Sequence, residues 1–373
     1  MARAPAFQEI EALPEADRLE GFPHPRETGA LLGHQAAEAM LAAAFAGGRM
    51  HHAWLLAGRA GIGKATLAYG LARHVLARPE ERDQSGKGLA VPASSIAARQ
   101  VAALSHPGLL VLRRPYDAKA KRFGSAIPVD EVRRLKSFLG LTSGDEAWRI
   151  VIVDTADDLN LNAANALLKS LEEPPRRCLF VLVASEPSGL LPTIRSRCRR
   201  LDLQPLAAQP LREATEAALA AAEMEPPSGA QWDQLERLAA GSVRRALQLA
   251  ATGGLELNER IAGIFAHLPQ VDWAAAHALA DSLAGNAQEQ RFEAFFELFL
   301  DALARLARGR AMGQGTGAAG PLAAGLISEA RLPHWAALWE TILSDKAEAD
   351  ELNLDRKALI IRTFARLEAV AKP

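Results

Sequence analysis

The segment from Ile150 to Arg200 constrains this chain more than any other. Ile150-Val151-Ile152-Val153 ends in Asp154. An apolar run closed by a carboxylate reads as a buried parallel strand that delivers its acid to the ligand edge of a sheet. Behind it, Leu161, Ala164, Leu167, Leu168 and Leu171 keep helical spacing, and Pro174-Pro175 stops the helix. A second apolar run, Leu179–Ser185, predicts another buried strand. The chain then leaves the sheet through the basic stretch Pro192-Thr193-Ile194-Arg195-Ser196-Arg197-Cys198. Strand, helix and strand in this order make a right-handed crossover unit of a parallel sheet.

A second such unit lies upstream. His52–Ala57 reads as a strand, followed directly by Gly58-Arg59-Ala60-Gly61-Ile62-Gly63-Lys64-Ala65-Thr66 and a helix from Leu67 to about Ala77. That is the setting of a phosphate loop: glycines let backbone N–H groups converge on phosphate oxygens, the helix N-terminus adds partial positive charge, and Lys64 adds a full one. Gly58, Gly61, Ile62, Gly63, Lys64, Ala65, Thr66 and Asp154 are the candidate nucleotide-binding residues. The spacing GxxxxGK is met, but the next position, which carries the metal-ligating hydroxyl in a working site, is Ala65; Thr66 comes one residue, about 100° of helix, late. The residue after Asp154 is Thr155, where a hydrolytic centre needs a Glu to polarise water. Two readings of Asp154 stay open, a cap on the next turn or a contact to ligand.

The first 27 residues, rich in Pro and Glu, read as an irregular arm, and Gln35–Ala46 as a helix. Residues 78–98 form a polar surface insertion, with a short helix at Gln100–Leu104 and a strand at Leu109–Leu112. Arg113, Arg114, Lys119, Lys121 and Arg122 make a basic loop, read as solvated in preference to a phosphate-backbone contact. A helix capped by Asp130 ends at Gly140. Beyond Leu201 the pattern turns helical: Pro210–Glu223, Gln231–Ala239 and Ser242–Ala251 form a lid. Arg244, in the first turn of its third helix, either reaches back to a nucleotide or is an exposed helix residue. Further helices follow at Leu257–Leu268, Trp273–Leu283, Gln288–Arg308, His334–Leu343 and Leu354–Ala371, with Gly309–Gly325 a glycine-rich link. The stripe Phe292, Phe295, Phe296, Phe299 serves either as core or as an interface. The reading is α/β plus all-α, in three parts: a P-loop sheet domain with its arm (1–203), a helical lid (204–253) and a helical collar (254–373).

A net charge of −1 supplies no global basic field, so nucleic-acid contact has to come from local patches, and protein partners fit better. Two cysteines, Cys178 and Cys198, without metal-ligand spacing argue against a disulfide framework, zinc or any other metal site. No apolar run reaches the length of a membrane span, so the expected location is the cytoplasm, with no membrane partner.

Taken together, Gly58–Lys64, Val151–Asp154, Asn165-Ala166-Leu167-Leu168-Lys169-Ser170-Leu171-Glu172-Glu173-Pro174-Pro175, Thr193–Cys198 and Gly241-Ser242-Val243-Arg244 resemble the AAA+ subunits of bacterial clamp loaders over about residues 30–252. The resemblance implies a sheet domain, three-helix lid and helical collar in this order. Arg197 is then the arginine of the Ser-Arg-Cys stretch, which projects across a subunit interface to the γ-phosphate held by a neighbouring motor subunit. Ser185 falls where motor subunits place a polar sensor, and Arg244 matches the second sensor. The implied partners are the other clamp-loader subunits (gamma/tau and delta), the sliding clamp and primed DNA, in a hetero-oligomer. The zinc module of some relatives does not carry over, because no cysteine lies between Lys64 and Asp154.

Two functions follow. In the first, the chain is a scaffold within the DNA-directed DNA polymerase III holoenzyme, a nucleotidyltransferase complex. It donates Arg197 to a neighbour, has no ATPase activity of its own, and keeps a weak or vestigial ATP/ADP site. In the second, it is an active AAA+ motor, gamma/tau-like or a branch-migration helicase; Lys64 favours this, while Ala65 and Thr155 oppose it.

Overall fold

The structure is a computed structural model, and it describes residues 14–83, 88–140, 147–285, 288–311, 326–352 and 354–372. The chain gathers into two compact units, Met1–Pro226 with Glu236–Leu247, and Pro227–Leu235 with Gln248–Pro373.

In the first unit, helix α1 (Gln35–Ala46) precedes β1 (Ala53–Ala57), the phosphate loop and α2 (Lys64–Leu76). Then come α3 (Ile96–Ala102), β2 (Leu109–Leu112), the two-residue strands β3 (Tyr116–Asp117) and β4 (Arg122–Phe123), and α4 (Val129–Gly140). The segment that most constrained the fold supplies β5 (Arg149–Asp154), α5 (Leu161–Glu172) and β6 (Cys178–Ala184), followed by the short α6 (Pro192–Arg195) and β7 (Arg199–Asp202). The sheet runs β2-β5-β6-β1-β7, parallel throughout. In register, Asp154 pairs with Val183, and Ala57 with Ala184 and Asp202, so the acid and the phosphate loop emerge at the same edge.

Every residue of β1 and β6 is buried, which is why their sequences are unbroken apolar runs rather than alternating ones. Asn160 caps α5 by accepting from the Ala163 amide at 2.8 Å, and Ala163, Ala164, Leu167 and Leu171 turn to the sheet. Each buried leucine contributes about 1.5–3 kcal/mol of apolar transfer free energy.

Several boundaries differ from expectation. Helix α2 starts at Lys64, three residues early, because Gly63 at φ +106° lets the loop turn directly into the helix. The short helix expected at Gln100–Leu104 is Ile96–Ala102, capped by Ser95, whose hydroxyl accepts from the Ala98 amide. Asp130 does not cap α4: it lies inside the first turn and pairs with Arg133 at 2.6 Å. The exit after Cys198 is not all loop; Arg199–Asp202 forms an edge strand whose charges hid its pairing with β1. The basic loop is only partly solvated, since Arg113 is bound by Glu15 and Asp17, and Arg114 by Asp158.

Helices α7 (Ala208–Ala221), α8 (Gly229–Ala239) and α9 (Val243–Ala251) follow the sheet. The second unit holds α10 (Gly254–Ala266), α11 (Trp273–Leu283), α12 (Glu289–Ala311), α13 (Leu332–Leu352) and α14 (Arg356–Ala371). There α10 packs on α12, α11 on α14, and α13 on both α12 and α14. The phenylalanine stripe is core: Phe292, Phe295, Phe296 and Phe299 are buried, and Phe295 and Phe299 both meet Phe364. Helix α13 is twice the expected length, reaching Leu352. Of the glycine-rich link, residues 309–311 belong to α12, and 312–325 lie outside the described residues, as do 1–13 of the arm. No helix among the described residues is long and apolar enough to cross a membrane.

Candidate functional site

The phosphate loop is wedged between β1 and the segment Gly241–Arg244. Ser242 Oγ donates to the Ala60 carbonyl at 2.9 Å, and the Arg244 amide to the Gly61 carbonyl at 3.3 Å. The Ala60 and Gly61 carbonyls are thus turned toward that segment. Among the described residues the amides of Gly61, Ile62, Gly63, Lys64 and Ala65 meet no protein acceptor. Lys64 Nζ donates to the carbonyls of Gly58 at 2.5 Å and Arg59 at 2.6 Å, and reaches Ser185 Oγ at 3.2 Å. Burial pulls its pKa down to about 8, with Asp154 and Asp157 opposing.

Asp154 is buried, and its Oδ2 has no hydrogen-bond partner among the described residues. Burial raises its pKa to about 7; Asp17 pushes further upward, and Lys64, Arg244 and Arg113 push down. Asp17 comes from the arm, residues 14–34, which runs without helix or strand. There Arg113 binds Glu15 at 2.6 Å and Asp17 at 3.0 Å, Arg26 binds Glu15 at 2.8 Å, and His24 faces Asp17 at 3.0 Å. Burial alone would raise the Glu15 carboxyl, but Arg26 and Arg113 hold it down at about 2. Arg244 Nη1 donates to the Asp17 carbonyl at 3.1 Å.

A nucleotide phosphate fits the uncommitted amides, and the orphaned Asp154 oxygen suits a cation or its water shell. Three features fit poorly. Ala65 offers no hydroxyl, Lys64 is spent on the loop's own carbonyls, and Arg244 is spent on the arm. If a nucleotide binds, Gly61–Ala65 hold its phosphates, and the chemistry it supplies is that of a phosphoanhydride.

Arg197 stands apart from this cluster. It follows α6, half-buried, its side chain 35% exposed. Its Nη1 donates to the Thr193 carbonyl at 3.0 Å and approaches Ser196 Oγ at 3.4 Å, and its Nη2 binds Glu172 Oε1 at 2.7 Å. With His51, His52, Glu172, Glu173 and Ser196 it lines an open groove. Next to it, burial pushes the Cys198 thiol up to about 12, as it does that of Cys178. Among the described residues no group of three or more His, Cys, Asp or Glu side chains is placed to hold a metal ion.

The family model described as DNA polymerase III, delta subunit, matches residues 33–207. Over 267 residues the chain is 31% identical to the DNA polymerase III subunit delta' of Escherichia coli K12, covering 71% of this chain and 73% of that one. The chain belongs to the DNA polymerase III delta prime subunit family. The same subunit of Pseudomonas aeruginosa is 41% identical over 155 residues, 41% of this chain but only 43% of that protein's length. Among solved structures, a gamma subunit-related protein of Thermotoga maritima has a TM-score of 0.45 at 18% identity, covering 90% of this chain and all of that one.

In this delta prime family member, Gly58–Thr66, Ser185 and Asp154 converge at one sheet edge with Arg244, whereas Arg197 lies outside that cluster. Four residues were given no part in the site by the sequence reading: Asp17, Arg113, Asp157 and Glu172. Asp157 accepts from the amides of Ser185 at 2.5 Å and Glu186 at 3.3 Å, fixing the end of β6; its signal was the three-residue offset from Asp154. Asp17 and Arg113 carried none, because only the folded arm brings them together.

Proposed function

We propose that this chain is the delta prime subunit of a clamp-loader assembly within the DNA polymerase III holoenzyme, working as a scaffold beside gamma/tau and delta subunits in the cytoplasm. In this reading it offers Arg197 to the γ-phosphate held by a neighbouring motor subunit and helps place the sliding clamp on primed DNA. The sheet domain (1–203), lid (204–253) and collar (254–373) divide the work. The observation that carries the reading is a contrast. The Arg197 guanidinium, although tied to the Thr193 carbonyl and Glu172, lies 35% exposed in an open groove, while Lys64 of the chain's own phosphate loop is buried against the Gly58 and Arg59 carbonyls, and Arg244 is held by the Asp17 carbonyl. A cation meeting charge that develops on a transferring phosphoryl group accelerates that step by about 10³-fold or more at the site served. Replacing Arg197 by Ala in the reconstituted assembly lowers DNA-stimulated ATP turnover while this chain stays folded and incorporated; unchanged turnover defeats the reading.

One observation favours a second reading, in which the chain binds ATP or turns it over as a gamma/tau-like motor: among the described residues the buried Asp154 Oδ2 has no hydrogen-bond partner. Against it stand Ala65 and Thr155. ATP hydrolysis by the purified chain alone, stimulated by primed DNA, would reverse the order of the two.

A further inference from the structure

Glu172 sits where helix electrostatics oppose it. It is the last residue of α5, with Glu173 as the C-cap. A carboxylate at the negative end of a helix costs about 0.3–1 kcal/mol. Its ion-pair partner is Arg197, whose Nη2 lies 2.7 Å from Glu172 Oε1. Both side chains are partly exposed, 35% for the arginine and 48% for the glutamate, and such pairs contribute about 0–1 kcal/mol to stability. Holding the fold together therefore does not account for the contact.

The platform beneath Glu172 is rigid. Asn160 caps α5 at its start. At its end His52 Nε2 lies 3.1 Å from the Leu171 carbonyl, so the ring donates there, and His52 is stacked on His51 with centroids 4.4 Å apart. Pro174-Pro175 then fix the chain that leaves the helix. A carboxylate on this base clamps one amino group of the guanidinium while Thr193 O and Ser196 Oγ hold the other. Of the five N–H donors, the clamp uses three and leaves two for an incoming oxyanion.

We infer that Glu172 is the positioning residue for Arg197: it orients the guanidinium in the groove before a neighbour's phosphate arrives. A long side chain that is already ordered loses less rotamer freedom when the anion docks, and its charge is aimed before the reaction begins. The inference rests on the proposed role of Arg197 in trans.

Two measurements test it. In the reconstituted assembly, Glu172→Ala lowers kcat for ATP about fivefold with KM unchanged, Glu172→Gln, which keeps an oxygen acceptor, recovers part of that loss, and Glu172→Ala adds nothing in an Arg197→Ala background. In the isolated chain, NMR exchange between the two Arg197 amino groups is slow in the wild type, faster in Glu172→Gln and fastest in Glu172→Ala. Unchanged guanidinium exchange in Glu172→Ala overturns the positioning role outright. Slowed exchange together with an Arg197→Ala assembly of normal turnover keeps the clamp and sinks the trans reading instead. An equal kcat loss from Glu172→Ala with and without Arg197 shows that the glutamate acts by another route and also overturns the inference.

Discussion

Arg244 Nη1 is bound by the main-chain carbonyl of Asp17, 3.1 Å away, and the amide of the same arginine holds the Gly61 carbonyl. Arg244 thus ties three things together: the arm, the phosphate loop and the start of α9. Its cation is committed to a neutral carbonyl, a charge-assisted contact worth about 1.5–3 kcal/mol at most and less where water reaches it. Arg244→Ala is expected to lower the unfolding free energy by about 1 kcal/mol in urea titrations. A fluorescent ATP analogue should bind the variant as it binds the wild type. A tenfold loss of analogue affinity would mean that the arginine leaves Asp17 to meet a phosphate.

Lys64 poses the same question from the other side of the loop. Its Nζ caps the carbonyls of Gly58 and Arg59. Lys64→Met keeps the aliphatic stem in its buried slot and removes both donors. Each orphaned carbonyl costs about 1–3 kcal/mol if water does not reach it, so a clear fall in thermal midpoint is expected. ATP turnover of an assembly built with the variant should match wild type per incorporated complex. Turnover that disappears while the melting temperature stays put would identify Lys64 as a working phosphate ligand.

The pH dependence separates the acids. Asp154 is raised from its ordinary 3.8 to about 7, so between these values the folded chain keeps a proton that the unfolded chain has released. Stability therefore falls as pH rises through that window, by at most about 4 kcal/mol. Glu15 has the opposite sign: held at about 2, it contributes stability that is lost as pH drops below 4.5. Asp154→Asn should flatten the stability profile from pH 4 to 7 and leave the acid limb intact. A variant profile that still slopes downward to pH 7 would contradict the burial-driven shift.

How much of this was legible depends on the length scale of each signal. Strands β1, β5 and β6 were readable because burial on both faces demands continuous apolar runs, and α5 because its cap, stripe and proline stop agree. Strand β7 was not: Arg199, Arg200 and Asp202 are exposed on an edge strand, so its four residues carry no apolar pattern, and only pairing with Trp54–Ala57 defines it. The site split the same way. Gly58–Lys64 and Asp154 announce themselves through local spacing. The Asp17–Arg113 and Glu172–Arg197 pairs span 96 and 25 residues of chain, and no local pattern ties such partners to each other. Asp130 misled for a related reason: a cap and a first-turn ion pair want the same residue type in nearly the same place.

The glycines of the phosphate loop supply the last prediction, because here a motif that looks like a nucleotide signature has a second physical cause. Gly61 has φ +76°, and a Cβ built on it collides with Ser242 Oγ and Arg244 Cβ. Neither neighbour is the free end of a long side chain. Ser242 is pinned to the Ala60 carbonyl and Arg244 to the Gly61 carbonyl, so relief requires moving the start of α9. Gly58, at φ +144°, is just as confined by the Leu203 carbonyl. Close approach of the chain to itself is thus enough to require glycine, whether or not a phosphate ever docks. Gly61→Ala adds left-handed backbone strain of about 1 kcal/mol to an overlap of about 1–3 kcal/mol. The variant should lose several degrees of thermal stability with no nucleotide in the buffer, and Ser242→Gly, which removes one of the two colliding atoms, should restore part of it. A Gly61→Ala chain as stable as wild type would show that the lid segment yields freely, and nucleotide contact would then be the remaining reason for glycine at this position.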